Sequence, residues 1–311
     1  MSEYRSHSGD IVTIFCSRFL ELLLFRKTLP YCDRPKPVEK ISDPKSIGDC
    51  LTIEETASLL ERQLVHSVYE EIAGHFSDTR HKPWPRVAQF IQSLPPDELL
   101  LDLGCGNGKY LGLEGGQQPR WELGADYSLN LLKIATARGH SGLRCDLLSV
   151  PLRDGVCGGL ICIAALHHLA SEARRLASIR EMARVLRPGA RGLVYVWAKD
   201  QESGNVKSSY LKQKKGGAKR DEQQESSDEA SVGEFGLPVH KNRTQFKAQD
   251  VLVPWKTKND EEGSVKEWKR FYHVFESGEL EKLIEDTQDL HVVESYYDQG
   301  NWCCIFEKST T

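Results

Sequence analysis

Residues 101–109 read Leu-Asp-Leu-Gly-Cys-Gly-Asn-Gly-Lys, an apolar run that breaks into three glycines alternating with small residues. Few chain paths accommodate such a change. The run Leu99–Leu103 reads as a buried strand. Gly104, Gly106 and Gly108 then make a turn in which no side chain blocks a ligand from the backbone. Further on, a second apolar stretch, Trp121–Ala125, ends in Asp126. A glycine turn after one strand and a carboxylate after the next is how an α/β fold holds an adenosine-type nucleotide. The glycines let the backbone come close, and the carboxylate accepts from both ribose hydroxyls.

The spacing narrows the ligand. The dinucleotide fingerprint is G-x-G-x-x-G, opening a helix that faces a pyrophosphate. Here the third glycine comes one residue early, Lys109 follows, and Asp102 stands inside the motif. S-adenosylmethionine has no phosphate but carries a sulfonium and an amino-acid tail, so an acidic group beside the turn suits it better than a pyrophosphate. The candidate cradle is Asp102, Gly104, Cys105, Gly106, Asn107 and Gly108, then Asp126 and Tyr127. Cys145-Asp146-Leu147 closes a third strand and offers Asp146 and Leu147 to the adenine. A fourth strand, Leu160–Ala165, brings Ala164 to the same edge and ends at His167 and His168. A helix over Ser171–Leu186 leads through Arg187-Pro188-Gly189 into a strand over Gly192–Trp197. That order is the one class I methyltransferases show. It implies a Rossmann-like α/β fold: a mostly parallel seven-stranded sheet, an antiparallel last strand, and helices on both faces. Each carboxylate taken singly could be a helix cap or a solvated strand end; their order is what points to a ligand.

The bulk numbers exclude several classes. With 39% hydrophobic and 28% charged residues the composition is that of a globular protein. A net charge of −4 means that any nucleic-acid surface must be a local patch. The nine cysteines include no C-x-x-C, and no stretch reads as a secretory signal, so free thiols in the cytoplasm or nucleus are expected. Cys157 and Cys162 lack partners at ligand spacing, and no metal site is expected. Cys303 and Cys304 should point to opposite faces of a strand, one of them into the core. The apolar run Ile11–Leu29 is interrupted by Arg18, Glu21, Arg26 and Lys27 and is too broken to span a membrane. Its Leu20, Leu23, Leu24 spacing suits an amphipathic helix for a partner or a membrane surface, against the plainer reading of a loosely packed extension.

Residues 1–50 read as an N-terminal extension and a proline-bearing linker, poorly ordered. Helical periodicity begins near Ile53, with Thr52 and Glu55 spaced as a capping box, and Leu59, Leu60, Leu64, Val68 and Ile72 form one apolar stripe. A second helix starts near Pro85 and ends before Pro95-Pro96. Residues 51–200 and 248–308 read as one methyltransferase domain. Between them, residues 201–247 are rich in Lys, Gln, Ser, Glu and Gly and read as a disordered charged insertion. Glu279–Glu285 reads as a helix, and Leu290–Tyr297 and Asn301–Glu307 as a closing antiparallel pair.

Ahead of the glycine turn lies Thr79-Arg80-His81-Lys82-Pro83-Trp84-Pro85-Arg86. Cations hold phosphates or a carboxylate, and an aromatic stacks a base; the plainer reading is a charged loop whose Trp84 packs on the sheet. This segment, the stretch Val65–Ile91 around it, the pair His167-His168, and the pieces DVLVPW, RFYHVFESGEL and NWCCIFEK resemble the tRNA wobble-uridine carboxymethyl methyltransferases. The likeness covers about residues 54–200 and 248–308 and is to the standalone forms. It implies methyl transfer from S-adenosylmethionine to the carboxylate of 5-carboxymethyluridine in tRNA, with a small zinc-binding activator protein as partner. It also implies roles. Arg80 and His167 would hold the carboxylate or the uracil and Trp84 would support the base. His81, Lys82, Arg86 and Arg270 would meet the tRNA, with Tyr272 and Tyr69 within reach of the pocket. There are two departures from the pattern: Tyr127-Ser128 where relatives carry arginine, and Ala190 in place of a second glycine. The competing readings are a catalytically weak member that regulates by binding tRNA or a protein, a methyltransferase for a protein or small acid, and, more distantly, a nicotinamide-dependent oxidoreductase.

Overall fold

The computed structural model describes residues 13–14, 51–80, 82–113, 120–204, 206–208, 210–211, 232–258 and 265–310. Its centre is the strand β2 (Leu99–Leu103), every residue of which is buried. β1 is Thr13–Ile14, and β3 (Trp121–Asp126), β4 (Gly142–Arg144), β5 (Cys157–Ile163) and β6 (Leu186–Trp197) follow. β11 (Leu290–Asp298) and β12 (Asn301–Lys308) close the chain. They form one sheet in the order β1-β4-β3-β2-β5-β6-β12-β11. β4, β3, β2, β5 and β6 run parallel, and β12 runs antiparallel to both its neighbours. Setting aside β1, this is the expected seven-stranded sheet.

Both faces are covered. Leu101, Leu103, Leu160 and Cys162 pack to one side with Ile179 and Met182. Leu100 and Ile161 pack to the other with Val87, Phe90 and Ile91. The period-2 alternation therefore serves two cores, as fully buried parallel strands require. Cys304 joins the first core and Cys303 the second, both fully buried. They point to opposite faces as expected, and because helices cover both faces each lies in a core.

The helices near Ile53, Pro85 and Ser171 start where the sequence places them. α1 (Ile53–Glu61) has the Thr52–Glu55 capping box. A π-helical turn, Arg62–His66, joins it to α2 (Ser67–Asp78). α3 (Pro85–Ser93) has Pro85 in its first turn, where a missing N–H costs nothing. α4 (Leu129–Ala137) and α5 (Glu172–Val185) are capped by Ser128 and Ser171. Glu61, at the end of α1, is buried and pairs with Arg174 at 2.6 Å while accepting from the Ala170 N–H at 2.7 Å. That contact fixes the first helices against the sheet's C-terminal edge.

The region read as one insertion is narrower than expected. Glu202–Ser203 (β7) and Val206–Lys207 (β8) form a small hairpin. Gln201, Ser208, His240 and Phe246 are buried. Both flanks thus belong to the packed structure, while 212–231 lies outside the described residues. The flanks escape a composition-based reading because their few apolar and aromatic residues, Tyr210 and Phe246 above all, find a ready-made surface in Trp197. The N-terminal extension also lies outside the described residues, except that Thr13–Ile14 pair antiparallel with β4. No described helix is long and apolar enough to cross a membrane.

A second, two-stranded sheet was not foreseen. β9 (Asp250–Lys258) and β10 (Val265–His273) pair antiparallel, with Arg270 opposite Val253 and Tyr272 opposite Val251. Leu252 and Phe271 pack with Leu60, Leu64 and Val65, and Val251, Val253 and Tyr272 with Phe246. The ribbon therefore lies beside α1, α2 and the sheet's end. Its foot is tied to α6 (Glu279–Glu285) by His273, whose ring nitrogens lie 2.7 Å from Asp250 Oδ1 and 2.6 Å from Glu279 Oε1. Two carboxylates on two ring nitrogens demand that both carry protons. Burial works against that charge, but the carboxylates outweigh it and raise the His273 pKa above its ordinary value. The stabilisation is complete below the unfolded value of about 6.5 and is lost as pH rises through the raised folded value. We expect the melting temperature of the unaltered protein to exceed that of His273→Gln near pH 6, and the gap to narrow as pH is raised past neutrality. A gap that widens with pH would contradict this.

Candidate active site

The glycine turn follows β2 with Gly104, Gly106 and Gly108 at φ +74°, +55° and +76°, all left-handed. A Cβ on Gly104 would lie 2.3 Å from that of Ala165, so only glycine fits there. The turn is anchored to β3: Gly104 and Cys105 N–H donate to Ala125 O at 2.7 and 3.0 Å. Asp126 uses one carboxylate oxygen to accept from Gly106 N–H and the other from Ser128 N–H, each at 2.8 Å. The carboxylate is thus locked in orientation at the rim of a cavity of about 810 Å³.

Most of the expected cradle lines that cavity: Asp102, Gly104, Cys105, Gly106 and Asn107 from the turn, Asp126 and Tyr127 after β3, Asp146 and Leu147 after β4, and Ala164 after β5. Gly108 does not line it. It packs against Ala135 and His140 and serves only to shape the turn. Asn107 reaches the other way, donating to Ser77 Oγ and Arg80 O at 3.1 and 3.2 Å. It thereby holds the basic segment against the turn. Ala164 itself has φ +57°, a strained value for a residue with a Cβ, held by its N–H to Tyr195 O at 2.9 Å.

Asp102 is buried, and its Oδ2 has no hydrogen-bond partner among the described residues. Burial, then the like charge of Asp126, pushes its pKa up to about 8. An orphaned buried carboxyl beside open glycine backbone fits a cationic ligand, and S-adenosylmethionine carries two positive groups. Tyr127 stacks on His66 with ring centroids 3.6 Å apart and planes 14° apart. Burial lowers the His66 pKa to about 4, so the ring is neutral, and its buried Nδ1 lacks a partner. Nothing in the sequence marks His66, because the π-helical turn that aims it breaks the ordinary helical period.

The cavity's opposite wall is cationic and aromatic. Arg80 lines it half-exposed, its guanidinium 5.5 Å from the Phe76 ring and 5.7 Å from Trp255. Lys82 and Trp84 line it as well, and Trp84 rests against Tyr195 at 5.4 Å, partly as the plainer reading had it. Arg270 was expected to meet phosphates. It is instead buried inside the cavity wall, where β10 brings it in from the ribbon. It donates to Tyr272 Oη at 2.9 Å and lies against the Trp255 ring at 4.6 Å. No carboxylate among the described residues pairs with it, and its Nε has no partner. Tyr69 lines the cavity beside it.

Two expectations fail on geometry. His167 is buried behind the wall, its Nδ1 accepting from Trp197 N–H at 3.2 Å and its ring stacked on Tyr272. It does not line the cavity; His168 does. His168 Nδ1 donates to Phe271 O at 2.8 Å, so Nε2 is free to accept from Tyr69 Oη at 2.9 Å. The pair sits on a 3₁₀ turn, Leu166–His168, whose tight pitch turns the second ring inward where a strand end would have turned the first. Arg86 also faces elsewhere, pairing with Glu294 at 2.7 Å and lying over Tyr296. His81 lies outside the described residues. Trp255, Trp197, Gln201 and Asn301, all in the wall, were missed; they come from the ribbon and from the β6 and β12 ends, whose meeting no local pattern announces.

Residues 101–194 match a methyltransferase domain model. A fission yeast protein, the tRNA (carboxymethyluridine(34)-5-O)-methyltransferase of Schizosaccharomyces pombe, is 33% identical over 80% of this chain and 98% of its own. The chain belongs to the tRNA (carboxymethyluridine(34)-5-O)-methyltransferase family. A family member from Xenopus tropicalis is 43% identical over 89% of this chain. The chain spans about half the length of the vertebrate members it matches, 45–48% of each. Among solved structures, Streptomyces venezuelae DesVI shares the fold at 15% identity with a TM-score of 0.51, over 78% of this chain and 98% of its own.

In this family member the orphaned Asp102 makes cofactor binding a proton-linked event. With its pKa pushed up to about 8, Asp102 is protonated at neutral pH in the free protein, and a bound cation favours the ionised form. S-adenosylmethionine affinity should therefore rise by up to about tenfold per pH unit below that value and level off above it. Asp102→Asn should bind weakly with no such slope. Titration calorimetry across pH 6–9 checks this, and a flat profile in the unaltered protein would contradict it.

Proposed function

We propose that the chain transfers the methyl group of S-adenosylmethionine to the carboxylate of 5-carboxymethyluridine at the wobble position of tRNA. The observation that carries this reading is Arg270, a buried guanidinium with no acidic partner among the described residues, lining the same cavity as Asp102 and Asp126. Leaving a buried charge unpaired is costly. A substrate carboxylate supplies the missing counter-ion, and a guanidinium is the side chain best shaped to hold one.

The chemistry asks little acid–base help of the protein. A carboxylate of pKa about 4 is already ionised at neutral pH. When bound, S-adenosylmethionine supplies an electrophilic methyl on a sulfonium. The residues then have only to align the acceptor oxygen with that methyl and exclude water. Arg270 fixes the carboxylate; Tyr69 and Tyr272 fix Arg270 through its 3.4 and 2.9 Å contacts to their hydroxyls. His168, neutral because burial lowers its pKa to about 3, accepts from Tyr69 and keeps that hydroxyl turned. Arg80, at the mouth, offers a second cation to the acceptor or to a phosphate, and Lys82 a phosphate contact, with Trp84 as a platform for a base.

A small zinc-binding activator would meet the β4 edge. There Thr13 and Ile14 already pair with Leu143 and Gly142, so partner and N-terminal segment would compete for the same backbone groups.

With labelled S-adenosylmethionine and tRNA bearing 5-carboxymethyluridine, the protein with its activator should form an alkali-labile ester. Arg270→Met should lower kcat/KM about 100-fold or more while leaving cofactor affinity unchanged, and Arg270→Lys should not restore it. Cofactor binding with no ester on any such tRNA would overturn the reading.

A further inference from the structure

β10 climbs out of the core. Arg270 and the residues after it are buried, Trp268 and Lys269 are half-buried, and Val265, Lys266 and Glu267 are exposed. Alternate residues share one face of a strand, so Lys266 and Trp268 stand on the same face as Arg270. The register with β9 carries that face outward in steps: Arg270 opposite Val253, Trp268 opposite Trp255, Lys266 opposite Thr257. Val253, Trp255 and Arg270 line the cavity. The ribbon face that forms the cavity wall therefore continues past the lining, and Trp268 and Lys266 are the next side chains along it.

The two tryptophans differ in what they do for the fold. Trp255 is wedged among His75, Phe76 and the guanidiniums of Arg80 and Arg270, at 5.4, 5.9, 5.7 and 4.6 Å. Trp268 belongs to none of the hydrophobic cores. Its ring instead carries the Lys266 ammonium, 4.0 Å from the centroid. Glu267 stands on the opposite face of the ribbon, where it pairs with Lys256 at 3.0 Å. In a chain of net charge −4, the face bearing Arg270 and Lys266 is thus kept free of acid along the described ribbon. A half-exposed ring with a cation beside it, in line with the cavity, suits an RNA base and its phosphate.

We propose that Trp268 stacks a base flanking the acceptor uridine and that Lys266 meets the phosphate beside it. This rests on the proposed wobble-position acceptor. An acceptor base drawn into a cavity leaves the stack of its loop, and its neighbour loses a stacking partner. Trp268, two strand residues or about 7 Å beyond Arg270, replaces that partner. The Lys266 ammonium covers the ring in the free protein, then turns to the phosphate and uncovers it. Stacking on an aromatic face tolerates any base, so this contact adds affinity and leaves selection to the cavity.

The test measures binding of anticodon stem-loops to the complete chain with its activator and S-adenosylhomocysteine. Three stem-loops carry 5-carboxymethyluridine at the wobble position: one intact, one lacking the base on its 5′ side, one lacking the base on its 3′ side. With the unaltered protein, one of the two abasic stem-loops should bind about tenfold more weakly than the intact one. In Trp268→Ala that penalty should shrink to within about threefold, and Trp268→Phe should keep most of it, with cofactor affinity unchanged in both. Trp268→Thr, a strand former without a ring, gives the same readout if Trp268→Ala does not fold. Lys266→Gln should lower the slope of log affinity against log salt by about 0.7. No penalty at either position, or a penalty undiminished without the ring, overturns the proposal. So does loss of activator binding in Trp268→Ala with stem-loop binding intact. Ester formed on the intact stem-loop alongside those results leaves the carboxylate reading standing. A Trp268-dependent penalty with no ester formed does the reverse.

Discussion

One cavity at the end of this sheet holds an acidic group, Asp102, and a basic one, Arg270, for which no described residue supplies an oppositely charged partner. On one side Asp102 is buried with an orphaned oxygen next to Asp126. On the other, Arg270 is buried with no carboxylate beside it among the described residues. In a low-dielectric site each deficit costs free energy, and a cation and an anion brought in together relieve both. A sulfonium donor and a carboxylate acceptor are such a pair, and bringing them together is most of what their reaction requires. The rest of the architecture serves to hold the two walls apart at a fixed distance while keeping water out.

The negative wall is built by the sheet. Parallel strands deliver Asp102, Asp126 and Asp146 to one edge, and backbone N–H groups from Gly106 and Ser128 fix Asp126. The positive wall is built by an addition to the sheet. The β9–β10 ribbon carries Arg270, Tyr272 and Trp255, and it is seated on α1 and α2 by Leu252 and Phe271. The two walls meet where Asn107 ties the glycine turn to the Arg80 segment.

The negative wall was legible in the sequence because its geometry is local: a glycine turn and a following strand end lie within a few tens of residues, and strand order follows from their punctuation. The positive wall was legible only by resemblance, and imperfectly. Arg270 reads as one more surface cation until the ribbon folds it inward. His167 and His168 cannot be told apart until a 3₁₀ turn decides which ring faces the cavity. Residues 201–247 look unable to fold because their composition is judged alone, whereas Gln201, Tyr210, His240 and Phe246 pack on surface supplied by the rest of the domain. The sequence also gives no hint of Asn301, which joins the cavity wall only because β12 pairs with the end of β6.

The account turns on Arg270 receiving an anion. The most direct measurement is the affinity of the S-adenosylhomocysteine complex for a wobble-position stem-loop bearing 5-carboxymethyluridine, compared with the same stem-loop bearing its neutral methyl ester. The account predicts that the carboxylate form binds at least about tenfold more tightly and that Arg270→Met removes the preference. Equal affinity for acid and ester in the unaltered protein would contradict it.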